Sequence, residues 1–214
     1  RNYTLSDFLP SNFLESDLEL DNQIARDDAW YVIQDKLNES SETIQVNLLF
    51  DKKVAISDTL RIGSNTTITF TENSGVVMQN GKGLAPFKNR NHRPYFNANI
   101  IDKNIHIKGK GIVNGNAINI PRGVSKQGMS AGFAWHGVKN LIIEDIKLFN
   151  HKMYAQIATN VVNGKVRNVE SSIGNSYHSN NMDGWHWDGW CKDCEFNNMK
   201  IKARDDSIGI NCDD

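Results

Sequence analysis

The feature that most constrains this chain is one apolar frame that returns, imperfectly, through its second half. Residues 140–148 read NLIIEDIKL, with apolar side chains at Leu141, Ile143, Ile146 and Leu148. Residues 164–171 repeat the frame at Val166 and Val169, and residues 193–201 repeat it at Cys194, Phe196, Met199 and Ile201. An earlier copy, NIHIKGKGI, carries Ile105 and Ile107. Aligned on Ile143, Val166 and Phe196, the copies are 23 and 30 residues apart. A period of this size means stacked units, each too small to bury its apolar face alone. Apolar and polar residues alternate within each copy, and Asn, Gly, Asp and Ser break the runs, so the units are built of strands. A leucine-rich repeat has a similar period but needs a Leu-rich consensus that is missing here. A β-sandwich would also give short strands, but nothing in it would preserve one frame from unit to unit. The expected class is therefore all-β, a parallel β-helix. Ile143, Val166 and Phe196 should stack inside three successive coils of this solenoid.

Ahead of the repeat, residues 24–37 (IARDDAWYVIQDKL) show helical spacing. Trp30, Ile33 and Leu37 share a face, Ala29 and Val32 flank it, and Asp27 and Asp28 suit a first turn. That apolar face must cover something, and an open coil end is an edge that needs covering. The division expected is an N-terminal extension over 1–23 and a solenoid over 24–214, with 24–37 as its capping helix. Two irregular stretches, 81–97 and 117–131, interrupt the strands as insertions in the turns. The first holds Lys82, Lys88, Arg90, His92 and Arg93, which read either as a contact for an acidic glycan or as a solvated loop.

Composition removes several function classes. A net charge of -1 gives no overall attraction to nucleic acid or an anionic membrane. No apolar run approaches the roughly 20 residues a membrane span needs. The first residues, RNYTLSDFLPSNF, lack the pattern of a secretory signal. Cys191, Cys194 and Cys212 all fall near the C-terminus, but a structural zinc site wants four ligands, and only His178 and His186 lie near. No metal is expected, and the cysteines read as small apolar fillers.

The chemistry concentrates after residue 180. Asp183 stands in an Asn-x-Asp-Gly setting, and the pair Asp205-Asp206 begins 22 residues later. That is one repeat, so the carboxylates should stack on neighbouring strands about 4.8 Å apart. Converging carboxylates repel, which separates a protonated acid from ionised bases. Hydrolysis of a glycosidic bond needs both, an acid on the leaving oxygen and a base on water. The plainer alternative is that Asp and Asn only fill turns. Trp185, Trp187 and Trp190 cluster beside Asp183 and could stack on sugar rings. Trp185 and Trp187 lie on one side of a strand and His186 on the other.

At these residues the chain resembles the polygalacturonases and related pectinases of glycoside hydrolase family 28. Asn181-Met182-Asp183-Gly184 looks like the family's Asn-Thr-Asp motif, and Arg204-Asp205-Asp206 looks like its Gly-Asp-Asp, with Arg204 in place of Gly. VAISDTLRIGSNTTI (54–68), KGIVNGN (110–116) and KLFNHKMYAQI (147–157) are similar to its early coils. The resemblance implies a right-handed parallel β-helix of the pectin-lyase type. It implies Asp205 as general acid, Asp183 and Asp206 activating water, and inversion at the anomeric carbon. Asn181 would brace the site, while His186, Trp185, Trp187 and Arg204 would touch substrate. No cofactor is implied. The family's Gly-His-Gly and Arg-x-Lys do not occur before Asp214, so further coils carrying them are expected. A polysaccharide lyase on the same fold would instead use Ca²⁺ held by carboxylates. The short helix before the coils also resembles the opening of phage tailspike depolymerases, which are homotrimers. The expected partner is a polysaccharide, with no nucleic acid and no membrane insertion. The expected setting is extracellular or the virion surface. A non-catalytic glycan-binding adhesin is the third reading.

Overall fold

The computed structural model describes residues 1–18, 27–92, 99–120, 131–174 and 182–211. Asn181, His178, Arg93, Cys212 and residues 24–26 of the expected helix lie outside them. The fold is all-β. Its strands join in one curled sheet in which the described pairings are parallel, arranged as three ladders that the chain visits in turn.

Ladder A stacks Asn2–Thr4, Val46–Phe50, Thr66–Phe70 and Asp102–Gly109, then the later part of Phe133–Glu144, the middle of Gln156–Ile173 and the start of Glu195–Lys202. Ladder B stacks Lys53–Ile56, Gly75–Met78, Ile112–Asn114 and Lys147–His151, then the ends of Gln156–Ile173 and Glu195–Lys202. Ladder C stacks Leu60–Ile62, Phe87–Asn89, the starts of Phe133–Glu144 and Gln156–Ile173, then Trp185–Asp188 and Ile208–Ile210. Ile143 pairs with Val166, and Val166 with Phe196, so each step of the sequence repeat is one pass through the ladders. Ile143 and Val166 are buried. Phe196, in the last described strand of ladder A, is only partly covered and meets Trp187 edge-on at 5.1 Å.

The N-terminal residues build an incomplete pass of their own. Asn2–Thr4, expected as an extension, is the outermost strand of ladder A, and Asp28 bridges to Ala55 at the edge of ladder B. Where a ladder C strand would follow, helix α1 (Trp30–Leu37) packs on Leu60–Ile62. Ile33 and Leu37 are buried. Trp30 is partly buried, and its indole N–H donates to the Thr59 carbonyl at 2.9 Å. The Gln34 amide imitates a missing strand: it accepts from the Arg61 N–H at 2.8 Å and donates to the Arg61 carbonyl at 3.1 Å. The helix thus satisfies the open backbone edge of ladder C, whose unpaired groups would otherwise invite pairing with another chain. Arg90 belongs to this end as well. Its guanidinium donates to the carbonyls of Leu37 and Ser40 at the end of α1, so Arg90 holds the cap.

The turns explain why asparagine is so frequent. Asn65, Asn104, Asn140 and Asn163 all have left-handed backbone (φ from 57° to 61°), a conformation asparagine tolerates better than other side chains. Each amide donates to the carbonyl oxygen of the one before: Asn104 to Asn65 at 2.8 Å, Asn140 to Asn104 at 2.8 Å, Asn163 to Asn140 at 2.7 Å. A second column runs from Asp145 through Asn168 to Asn198. Asn140→Ala should cost about 2 kcal/mol, combining the left-handed backbone penalty with two lost amide bonds. Asn140→Gly, which keeps the backbone but not the bonds, should cost about 1 kcal/mol. Urea denaturation of both variants checks this, and equal costs would contradict the role given to the backbone.

Candidate active site

The register of ladder C brings the aspartates together. Asp183 precedes Trp185–Asp188, the Asp205-Asp206 pair precedes Ile208–Ile210, and Trp185 pairs with Ile208. The Gly184 N–H donates to the Asp206 carbonyl at 2.8 Å, the Trp185 N–H to the Ser207 carbonyl at 3.0 Å, and the Arg204 N–H to the Met182 carbonyl at 3.2 Å. Asp183 and the Asp205-Asp206 pair therefore occupy adjacent passes at the entrance to one ladder. Their exposure differs. Arg204, Asp205 and Asp206 face solvent, whereas Asp183 is 4% exposed.

Burial of a carboxylate requires a partner, and Asp183 has His186. His186 Nδ1 lies 2.7 Å from Asp183 Oδ2, and its Nε2 lies 2.9 Å from Asp188 Oδ1. Two carboxylates can both accept only if the ring carries both protons, so the arrangement favours the imidazolium. Its pKa is raised above the ordinary value, first by the hydrogen bond to Asp188, then by the one to Asp183, with burial opposing both. The Tyr154 ring lies 4.9 Å away, centroid to centroid, and the Asn211 amide approaches Nε2 at 3.1 Å from the following pass. Gly209 lies opposite His186, where an added Cβ would come 2.8 Å from Nδ1, so the next strand reserves this position for the ring.

A pH dependence follows. A histidine whose pKa is higher folded than unfolded contributes stability that is fully present below the unfolded value of about 6.5. That contribution disappears as pH rises through the folded value. Chemical denaturation should therefore show the His186 contribution intact at pH 5.5 and declining above about pH 6.5. His186→Gln should flatten that decline. A profile as steep in the variant as in the parent would show that another group carries it.

Two expected substrate contacts are corrected. Trp185 (0% exposed) and Trp187 (3% exposed) point into the core, where Trp185 meets Phe133 and Trp187 meets Phe196. Inward-facing positions of ladder C need large apolar side chains to fill the interior, and neither ring has a face left for sugar. Trp190, at 43%, is the exposed tryptophan of the cluster. His186 does face away from the core, but it is buried and held by two carboxylates, so it bonds to Asp183 and Asp188 in place of substrate. The expected brace Asn181 lies outside the described residues. His92, from the basic stretch, has its pKa lowered to about 4 by burial and by Lys88, His136 and Arg61, so it carries no charge at neutral pH.

Asp188, Asn211 and Tyr154 were not anticipated. Asp188 was within reach, since it follows His186 by two residues and so shares its side of the strand. Asn211 meets His186 only through the pairing of one pass with the next. Among the described residues, no group of three or more His, Cys, Asp or Glu is arranged to hold a metal ion.

No protein-family model and no curated protein matches this chain. The fold, however, is shared. The crystal structure of "a putative glycosyl hydrolase from Parabacteroides merdae ATCC 43184" superposes with a TM-score of 0.63 and 21% sequence identity, over 99% of this chain and 94% of that one. At this identity the likeness is one of fold.

Proposed function

We propose that this chain degrades a polysaccharide, as an inverting glycoside hydrolase of polygalacturonase-like design, and that its curled sheet winds as a right-handed parallel β-helix. The observation that carries the reading is the meeting of Asp183 with Asp205 and Asp206 at the entrance to adjacent strands of ladder C. The glycosyl hydrolase description of the structural neighbour supports it. In this reading Asp205, exposed and free to approach a leaving oxygen, is the general acid. Asp206 and Asp183 orient and deprotonate the water. The His186 ring, 2.7 Å from Asp183 Oδ2, holds that carboxylate in position. Inversion requires the acid and a base carboxyl to stand about 6.5–9.5 Å apart, with room for that water between them. Arg204, exposed beside Asp205, reaches an acidic sugar, so the substrate is an acidic or cell-envelope glycan. The setting is extracellular or, for a homotrimeric tailspike, the virion surface.

The experiment is a panel of acidic and envelope glycans, incubated with and without EDTA. Reducing ends and the absorbance of unsaturated product are followed together. Reducing ends without unsaturation, unaffected by EDTA, are expected. Unsaturated, EDTA-sensitive product would replace the hydrolase by a Ca²⁺-dependent lyase. One observation favours a second reading, glycan binding without catalysis: Asp183 is buried and its carboxylate is taken up by His186. Binding to a panel member with no new ends would select it.

A further inference from the structure

Away from the aspartates, the turn from ladder C back to ladder A carries a second group of reactive side chains. Cys191 and Cys194 are both free and half-buried. The turn that carries them is tightened by left-handed backbone at Trp190 (φ 54°), just before Cys191, and at Asp193 (φ 55°) between the two. Lys192 is pinned in the middle: its N–H donates to the Val161 carbonyl at 2.9 Å, and its carbonyl accepts from the Asn163 N–H at 2.9 Å. The two flanking thiols converge on the same residue of the preceding pass. The Val161 N–H donates to Cys191 Sγ at 3.4 Å, and the Cys194 thiol donates to the Val161 carbonyl at 3.5 Å. The Cys191 thiol donates to the Ala158 carbonyl at 3.6 Å, so both sulfurs lie against the same stretch of the preceding pass. Gly164 makes room for this, since a Cβ there would lie 3.2 Å from Cys194 Sγ.

We propose that Cys191 and Cys194 form a thiol–disulfide exchange site, closed to an intramolecular disulfide by a low-molecular-weight disulfide such as oxidised glutathione. Cys194 is the attacking group. The neighbouring Cys191 side chain draws its pKa down to about 7, while that of Cys191 itself is pushed up by Cys194 and by burial. Low pKa and partial exposure are what distinguish a reactive cysteine from an inert core one. The Cys194 thiolate attacks one sulfur of oxidised glutathione, the glutathione S–S bond breaks, and one glutathione leaves as thiolate and takes up a proton. Cys191 then gives its proton to solvent and attacks the Cys194 sulfur of the mixed disulfide, expelling the second glutathione. Two protein thiols are oxidised to one disulfide, and one glutathione disulfide is reduced to two thiols. The bridge fixes the turn that carries the exposed Trp190 and joins the Asp188 end of one strand to the next pass.

The test uses reduced Cys212→Ser protein with oxidised glutathione at pH 7. Intact mass should fall by about 2 Da, thiol titration should drop from two groups to none, and Tm should rise by about 4 °C. Cys191→Ser in that background should trap the glutathione adduct on Cys194, and Cys194→Ser should leave Cys191 unmodified over the same time. If Cys212→Ser fails to fold, peptide mapping of the parent chain should locate the bridge between Cys191 and Cys194. A glutathione adduct that persists with both cysteines present, or two thiols that stay titratable, would overturn the proposal.

Discussion

Asp205→Asn should lower turnover on the responsive glycan by about 10²–10⁴-fold, the usual contribution of a positioned general acid. The fold should be unaffected, because Asp205 is exposed and lies in the turn before Ile208–Ile210. Glycan affinity should also persist, so the loss falls on kcat. Asp183→Asn makes an informative contrast. It removes one carboxylate from His186, so activity and the pH dependence of stability should change together. Near-normal turnover in Asp205→Asn would exclude the acid role and move the assignment to glycan binding alone.

Trp185→Ala should cost about 3–5 kcal/mol, a large part of the roughly 5–15 kcal/mol that holds a domain of this kind together. The ring is fully buried, its N–H donates to Ser171 Oγ at 3.0 Å, and it pairs through ladder C with Ile208. Removing it leaves a cavity between two passes and an unsatisfied hydroxyl. Equilibrium denaturation gives the cost, and glycan binding by whatever variant remains folded should match the parent. A small stability loss together with lost binding would return Trp185 to the surface and reverse its placement in the core.

The ladders were legible because ladder A keeps its period. Ile143, Val166 and Phe196 occupy equivalent places, and parallel pairing turns equivalence in sequence into contact. Ladder C was harder to read, since insertions of unequal length precede its strands. Alternation put Trp185 and Trp187 on one face and His186 on the other, but could not say which face was inside. The pairing of Phe87 with Phe133, and the packing of Trp185 on Phe133, decide it, and these contacts join residues far apart in sequence. The Asp183–His186–Asp188 group was half visible for the same reason: its residues are local, but its burial depends on neighbouring passes. Asn2–Thr4 gave no signal, being too short to show a period, and its place in ladder A rests on pairing alone.

The asparagine columns also give the stack a sense of direction. Every amide in them donates backwards, toward the N-terminal end: Asn65 to the Ser41 carbonyl, Asn104 to Asn65, Asn140 to Asn104, Asn163 to Asn140, Asn168 to Asp145 and Asn198 to Asn168. An acid can therefore replace an amide only where a column starts, as Asp145 does, accepting and giving nothing. Anywhere later the same exchange sets a carboxylate against a carbonyl. Loss of the side-chain amide as ammonia, which an asparagine followed by glycine undergoes most readily, makes this exchange with time. Asn163 precedes Gly164 and stands at the late end of its column. Chemical ageing of this protein should thus begin to unfasten the column at Asn163, beside the turn that carries Cys191 and Cys194, while Asp145 already holds the form that ageing would produce.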